Sequence, residues 1–224
     1  MSAPPAVLSW SSGKDSAFAY HVACRDGLAD IRALLTTVNE VFDRVAIHGT
    51  RGEIVRRQAA ALGLPLIEVP LPHPCPNAIY EARMAEALAG IQADGIDHMV
   101  FGDLFLSDIR AYREATLARI GMTALFPLWG RPTDRLAEDM LAAGLEAWIT
   151  TVDLSRLDAG FAGRRWDSEL IADLPEGIDP CGENGEFHTC VARLPEFGCM
   201  LAVTPGEIVE RDGFAYADLA LTGP

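Results

Sequence analysis

The sequence predicts an α/β protein with a doubly wound parallel sheet and a smaller C-terminal α+β subdomain. Strand-like and helix-like patterns alternate from residue 7 to residue 126, and this alternation is typical of parallel sheets covered by helices. The first strand-like run also leads through a tight polar turn directly into a helix. Because the alternation stops near Gly130, we expect one domain over residues 1–130 and a second over residues 131–224.

The first element is a strand, a turn and a helix. An apolar run over residues 7–10 is followed by small polar residues over 11–16, and helical spacing then continues as far as Gly27. The turn therefore places unpaired backbone N–H groups at a helix N-terminus. Those groups and the helix dipole favour an anion.

The turn over residues 11–16 has two interpretations. Ser12 to Asp15 fits the S-x-x-[DE] capping box, which would only begin a helix. However, Lys14 is the only lysine among 18 basic residues, and Gly13 permits close approach of the backbone to a ligand. We therefore favour a phosphate-binding loop. It is not a Walker loop, because Asp15 stands where that motif requires Ser or Thr.

The remaining elements follow in order along the chain. In the first domain, strands are predicted over 31–38, 66–69 (closed by Pro70 and Pro72), 98–101 and 123–126. Helices are predicted over 51–62, over 77–94 with Asn77 as N-cap, and over 107–120. In the second domain, we expect helices over 131–143 and 168–174 and strands over 146–152 and 187–192.

Composition limits the partners of the protein. With 32 acidic and 18 basic residues the net charge is −14, so a broad nucleic-acid-binding surface is not expected. No basic leader or long apolar segment is present, so neither a signal peptide nor a membrane span is predicted. The five cysteines include no C-x-x-C pair and suggest reduced thiols in a cytoplasmic protein. A metal site at Cys181, Cys190 and Cys199 with His188 is the alternative.

Ligands of doubly wound sheets bind beyond the carboxyl ends of the strands. Three predicted loops lie at such strand ends, over residues 9–16, 37–51 and 102–113. Asp103 could hold magnesium, and Arg110 and Arg113 could face phosphates or an anionic substrate. The alternative is that residues 108–114 form only a solvated helix start.

A second polar cluster surrounds the predicted turn at Asn184-Gly185. Glu183, Glu186 and His188 provide two carboxylates and an imidazole, which could bind an amine or transfer protons. The alternative is an exposed acidic turn beside an ordinary strand. The pattern alone does not decide between the two.

Two segments resemble family signatures. Residues 11–16 resemble the S-G-G-x-D-S loop of ATP pyrophosphatases, with Ser12 in place of the first glycine. Residues 181–189, C-G-E-N-G-E-F-H-T, resemble the C-G-E-x-G-E-F-x-T signature of the diphthine–ammonia ligase family. The two signatures lie near opposite ends of the chain, so the resemblance covers nearly all of it. It implies a fold of the adenine nucleotide alpha hydrolase-like (HUP) type.

The resemblance implies a ligase that uses ATP and Mg²⁺ to adenylate a carboxylate, releases pyrophosphate and amidates the carboxylate with ammonia. The family's ligase acts on a modified histidine of translation elongation factor 2. Residues 48–51 and Trp129-Gly130 look more like relatives that act on another carboxylate, so a small-molecule and a protein acceptor both stay open. A homodimer is also left open.

The resemblance further assigns roles to individual residues. ATP binding falls to Ser11, Ser12, Gly13, Lys14, Asp15, Ser16, Thr37, His48, Gly102 and Arg110. Catalysis falls to Lys14, Asp15, Asp103, Glu183, Glu186 and His188, with Asp15 also as a magnesium ligand. An ATP sensor without turnover, or an ATP pyrophosphatase serving another transfer such as thiolation, are the alternatives. Thiolation of tRNA would require a basic surface or a cysteine pair, and the sequence offers neither clearly.

Overall fold

A mainly parallel sheet forms the first half of the chain in the computed structural model, which describes residues 3–45 and 49–222. Its parallel strands are β1 (Pro5–Ser9), β2 (Asp30–Asn39), β4 (Leu66–Leu71), β5 (His98–Val100) and β6 (Thr123–Leu125). Pairing gives the order β4-β2-β1-β5-β6, and the short strand β3 (Arg44–Val45) pairs antiparallel with the end of β2. The order reverses at β1, so the crevice for a ligand lies at the carboxyl end of β1.

Helices cover both faces of this sheet. They are α1 (Lys14–Arg25), α2 (Gly52–Leu62), α3 (Asn77–Ala93) and α4 (Ser107–Ala118). Ala6 and Leu8 of β1 pack in one apolar cluster with residues of α1 and α2, whereas Val7 packs in another with residues of α3 and α4. Alternate residues of β1 thus face opposite helical layers. This confirms the predicted doubly wound α/β class, and the arrangement is consistent with the HUP type.

The second half of the chain forms an antiparallel sheet. Its elements are α5 (Thr133–Ala142), β7 (Glu146–Asp153), a 3-10 turn (Ala159–Phe161), β8 (Arg165–Trp166), α6 (Ser168–Asp173), β9 (Phe187–Arg193), β10 (Val203–Arg211) and β11 (Phe214–Leu221). The strand β7 pairs with β9, β11 and β8, and β10 pairs with β11. Sequence patterns did not predict the β10–β11 hairpin, although Asp212-Gly213 is a hairpin-turn dipeptide.

The two halves share one core. The larger apolar cluster contains Leu8 and Phe18 from the first half together with Trp166 and Phe187 from the second. The amide of Val191 in β9 donates to the Ser12 carbonyl at 2.9 Å, which fixes the turn after β1 against the second sheet. Residue 130 separates the two sheets along the chain, and the domain boundary proposed there stays a prediction.

Two local expectations are corrected. The strand β4 does not end at Pro70, which remains in register with Val38 of β2. Within the described residues β4 pairs with β2 alone, so it is an edge strand, where a proline that lacks the N–H donor is tolerated. The N-cap of α3 is Pro76 rather than Asn77, whose Nδ2 instead donates to Glu81 at 2.8 Å. Within the described residues, no helix combines the length and the apolar composition needed to span a membrane.

Candidate active site

Hydroxyl groups hold the turn between β1 and α1. Gly13 is the N-cap of α1, and its N–H donates to Ser11 Oγ at 3.3 Å. Ser16 Oγ donates to the Gly13 carbonyl at 3.0 Å and accepts from the Ser11 N–H at 3.3 Å. The Lys14 N–H donates to Thr189 Oγ1 at 3.1 Å. The next two amides, of residues 15 and 16, belong to the first helical turn and have no intrahelical acceptor, so they are suited to an anion.

The capping-box interpretation of Ser12 is wrong. Its Oγ donates to Thr50 Oγ1 at 2.8 Å, and no side chain caps α1. Ser12 has a φ of 71°, a left-handed conformation that glycine adopts more readily. This explains why the ATP pyrophosphatase pattern has glycine here. A serine costs about 1–2 kcal/mol in this conformation, and the buried hydrogen bond to Thr50 offsets about 1 kcal/mol of that cost.

A cavity opens between this turn, the end of β5 and the segment before β9. It brings together two segments that are distant in sequence, the turn at residues 11–16 and the signature at residues 181–189. The predicted site residues that line it are Ser11, Lys14, Asp15, Ser16, Gly102, Asp103, Glu183 and His188. Arg113, which the sequence also suggested, lines the cavity as well. The other lining residues are Ser9, Phe101, Gly182, Gly185, Phe187 and Thr189.

Lys14 is a buried cation at the base of the cavity. Its side chain is 2% exposed, and Nζ lies 3.0 and 2.9 Å from the two carboxylate oxygens of Asp15. Nζ also donates to the Cys181 carbonyl, and it lies 5.7 and 5.5 Å from the ring centroids of Trp166 and Phe187. Burial lowers the pKa of Lys14, but the attraction of Asp15 and other acidic groups outweighs burial, so the pKa lies above its ordinary value. Lys14 is therefore an ammonium at neutral pH.

An arginine and a carboxylate form another wall. Arg113 Nε lies 2.9 Å from Asp103 Oδ2, and the guanidinium lies 4.4 Å from the centroid of the Phe101 ring. Both atoms are buried, yet neither makes a hydrogen bond within the described part of the chain. Gly102 allows this wall to approach α1, since a Cβ there would lie 2.7 Å from the Asp15 carbonyl carbon and from the Ser16 nitrogen. The β5–α4 loop is thus packed directly on the first turn of α1.

Glu183 and His188 contribute titratable groups from the second half of the chain. Glu183 Oε1 accepts from the Leu104 N–H at 2.8 Å. Burial raises the pKa of Glu183 to about 7 against the opposing effect of that N–H, and Asp15 and Asp103 add to the rise. Burial and the nearby Lys14 lower the pKa of His188 to about 4, so its imidazole is neutral at pH 7. Glu183 can therefore exchange a proton near neutral pH.

We expect the Glu183→Gln variant to lose less stability than the wild type as pH rises. The native carboxyl has a pKa of about 7 against an ordinary 4.5, so between these values the native state holds a proton that the unfolded state has released. The wild-type free energy of unfolding should therefore fall from about pH 4.5 to about pH 7 and stay lower above it. Urea unfolding from pH 4.5 to 8 measures this. Parallel profiles for wild type and Glu183→Gln would contradict the assignment, and the exposed Glu176→Gln variant is the control.

Glu186 lies outside the cavity. It is fully buried, and its Oε1 accepts from Asn184 Nδ2 at 3.0 Å and from the Asp179 N–H at 3.4 Å. Arg156 Nη1 approaches the same oxygen at 3.4 Å. Glu183 and Glu186 therefore do not converge on one amine, because Glu183 lines the cavity and Glu186 does not. The contacts of Glu186 suit a residue that orders the turn.

Other predicted residues are also placed apart from the cavity. The Arg110 guanidinium lies 4.9 and 4.7 Å from the ring centroids of Phe126 and Trp129, and its Nε donates to Glu114 at 2.8 Å. Thr37 lies in β2 and does not line the cavity, and His48 lies outside the described residues. Ser12 and Gly13 form the backbone of the turn but are not part of the lining.

Sequence reasoning missed the residue that shapes the second signature. The Asp179 carboxylate accepts from the Cys181 N–H at 3.2 Å and from the Glu183 N–H at 2.9 Å, which holds Glu183 in place. Its position before Pro180 in an Asp-Pro turn is the signal that could have identified it.

The structure gives no support to a zinc site. Among residues 3–45 and 49–222, no group of three or more His, Cys, Asp or Glu side chains could share a metal ion. Cys181 and Cys190 are buried and Cys199 is exposed, and all three are free thiols.

Comparison with known proteins divides the chain in the same way as its two sheets. Residues 5–124 match the family model described as diphthamide synthase N-terminal domain, and residues 132–219 match the diphthamide synthase C-terminal domain. A diphthine–ammonia ligase of Schizosaccharomyces pombe is 32% identical over 102 residues, which cover 44% of this chain and 17% of that protein. Those of Rattus norvegicus and Homo sapiens are 31% and 29% identical over 121 residues, covering 51% of this chain and 45% of each relative. The chain thus spans less than half the length of these curated relatives.

Proposed function

This chain belongs to the diphthamide synthase family, and from that premise we propose that it is an ATP-dependent ligase that adenylates a carboxylate and amidates it with ammonia. One observation carries the proposal. The anion-binding turn of the first half and the proton-exchanging Glu183 of the second half line the same cavity. An enzyme that joins two substrates needs its nucleotide loop and its acceptor groups in one space.

The ATP side of the cavity would bind the phosphates at the start of α1. Asp15 and Ser16, in the first turn of α1, line the cavity together with Lys14, whose ammonium adds positive charge. Pyrophosphate leaves with additional negative charge when the bond between the α- and β-phosphates breaks. Fixed donors and a buried cation would stabilise that charge in the transition state.

Magnesium is part of this proposal. Mg²⁺ is commonly held by one or two carboxylates, with the remaining ligands supplied by phosphates and water. Asp15 and Asp103 line the cavity, and Asp103 Oδ2, which lies 2.9 Å from Arg113 Nε, makes no hydrogen bond within the described residues, so these two carboxylates could supply one or two ligands. When bound, the ion would neutralise part of the phosphate charge.

The acceptor side would carry out the amide-forming step. An oxygen of the acceptor carboxylate first attacks the α-phosphorus, which forms an acyl adenylate as pyrophosphate leaves. Ammonia then attacks the acyl carbon, AMP leaves, and the nitrogen must lose a proton. Glu183, with a pKa of about 7, is suited to accept that proton. Lys14 is already protonated, and His188, with a pKa of about 4, is a weaker base than Glu183.

The acceptor is a carboxylate of a small molecule or of a protein. Diphthine is the acceptor in the names of the related ligases, and we leave it as one candidate for this chain. The five free cysteines suit a reducing compartment, so we place the reaction in the cytoplasm. An ATP sensor is less well supported, because sensing would not require Glu183 and His188 in the nucleotide cavity.

Phosphorus NMR of a turnover mixture tests the proposal. With Mg²⁺, ammonium and a screened set of carboxylates, the expected products of ATP are AMP and pyrophosphate. Accumulation of ADP and phosphate would reject the adenylation mechanism. The Glu183→Gln variant should bind ATP within about twofold of wild type but release AMP about a hundredfold more slowly, because a proton-transfer group contributes about 10²–10⁴-fold. Equal loss of ATP affinity and of turnover would instead assign Glu183 to nucleotide binding.

A further inference from the structure

The two cations that line the active-site cavity, Lys14 and Arg113, differ in how many of their hydrogen-bond donors are already used. An ammonium has three N–H donors. Lys14 directs Nζ at both oxygens of Asp15 and at the Cys181 carbonyl, which together provide three acceptors. Lys14 therefore contributes charge to the cavity, while its donors hold the two halves of the protein together.

Arg113 has the opposite character. Its guanidinium has five N–H donors, and the buried Nε makes no hydrogen bond within the described part of the chain. Nε lies 2.9 Å from Asp103 Oδ2 but is not aligned for a hydrogen bond, and the Phe101 ring holds the guanidinium plane from one side. Arg113 thus lines the cavity with a buried donor, Nε, that is not used within the described part of the chain. A guanidinium binds phosphate through two parallel N–H groups, which an ammonium cannot do.

The position of Arg113 indicates which ligand group it meets. Its partner Asp103 follows Gly102, and Gly102 packs on the Asp15–Ser16 peptide at the N-terminus of α1. The donors of Arg113 and the first turn of α1 therefore line the same cavity. Neutralisation by Asp103 leaves these donors oriented without an excess of local charge.

We propose that Arg113 binds the pyrophosphate portion of ATP directly, and that Lys14 supports this site through its charge and its contacts with Asp15 and Cys181. The proposal rests on the proposed function only in that ATP is the nucleotide. Arg110, which the sequence suggested equally well, is held between two aromatic rings outside the cavity. It therefore provides a matched control on the same helix.

Calorimetric titration with pyrophosphate, and separately with ATP, tests the proposal. Arg113→Gln should weaken pyrophosphate binding about 10- to 100-fold, the range expected for loss of one or two charge-assisted hydrogen bonds. Arg113→Lys should recover only part of the affinity, because it restores the charge without the planar pair of donors. Arg110→Gln should stay within about twofold of wild type. Circular dichroism confirms that each variant is folded, and Arg113→Lys provides the readout if Arg113→Gln is not.

Two results would overturn the proposal. One is equal pyrophosphate affinity in wild type and in folded Arg113→Gln. The other is unchanged affinity for pyrophosphate and ATP together with a raised KM for the carboxylate acceptor, which would assign Arg113 to the acceptor. Products of ADP and phosphate would reject the ligase function but leave a measured loss of pyrophosphate affinity in place, so the two failures are distinguishable.

Discussion

Replacing Lys14 with methionine is expected to abolish ATP turnover and to destabilise the protein. Methionine keeps much of the side-chain length but removes the ammonium, so the Asp15 carboxylate and the Cys181 carbonyl both lose their donor. Breaking a buried ion pair by removing one partner costs about 3–5 kcal/mol. The Asp15 side chain is 28% exposed, so we expect the lower end of that range, about 3 kcal/mol. AMP release should fall at least about a hundredfold, as for loss of other preorganised electrostatic groups.

Urea unfolding and AMP release measure the two effects separately. Lys14→Arg should not restore either, because the larger guanidinium does not fit a side-chain site that is 2% exposed. Arg25→Met is the control on the same helix. Its side chain is 53% exposed and, within the described residues, its one ion pair is with Asp26, so its removal should change the free energy of unfolding by less than about 0.5 kcal/mol. Wild-type stability in Lys14→Met would show that the contact with Cys181 does not join the two halves.

Gly102→Ala is expected to weaken ATP binding at least about tenfold, because it displaces the first turn of α1. The added Cβ would lie 2.7 Å from the Asp15 carbonyl carbon and from the Ser16 nitrogen. Both atoms belong to backbone, so relief requires the β5–α4 loop and the turn at residues 11–16 to separate. Overpacking of this kind costs about 1–3 kcal/mol in stability. Calorimetry with ATP and thermal unfolding provide the measurements.

Gly90→Ala is the matched control for this substitution. Gly90 lies within α3, and a Cβ there would meet no heavy atom of the described residues within 4 Å beyond its chain neighbours and the backbone of its own helix. Alanine is favoured over glycine in a helix interior by about 1 kcal/mol, so this variant should be slightly more stable and bind ATP as the wild type does. Normal ATP affinity in Gly102→Ala would mean that the loop and the turn can move independently, contrary to the close packing that the structure shows.

Local patterns in the sequence determined the fold class and both functional segments. Apolar residues repeat about every two positions in a strand and about every 3.6 in a helix, and each period depends on backbone geometry within a few residues. The turn at residues 11–16 and the signature at residues 181–189 are continuous in sequence, so they could be identified without knowing their neighbours. The β10–β11 hairpin was missed, although Asp212-Gly213 marks its turn, because most of β10 is exposed and carries no clear alternation.

Only the tertiary structure decided which side chain of each candidate pair reaches the cavity. Arg110 and Arg113 are three residues apart on one helix, and Glu183 and Glu186 flank one turn, so sequence spacing treats each pair alike. Their surroundings differ. Arg110 packs between Phe126 and Trp129, whereas Arg113 faces Asp103. Glu186 is fully buried, with its Oε1 accepting from Asn184 in the same turn, but Glu183 reaches across to the Leu104 amide. Side-chain direction at these positions depends on contacts between segments that are distant in sequence, and local propensity does not encode those contacts.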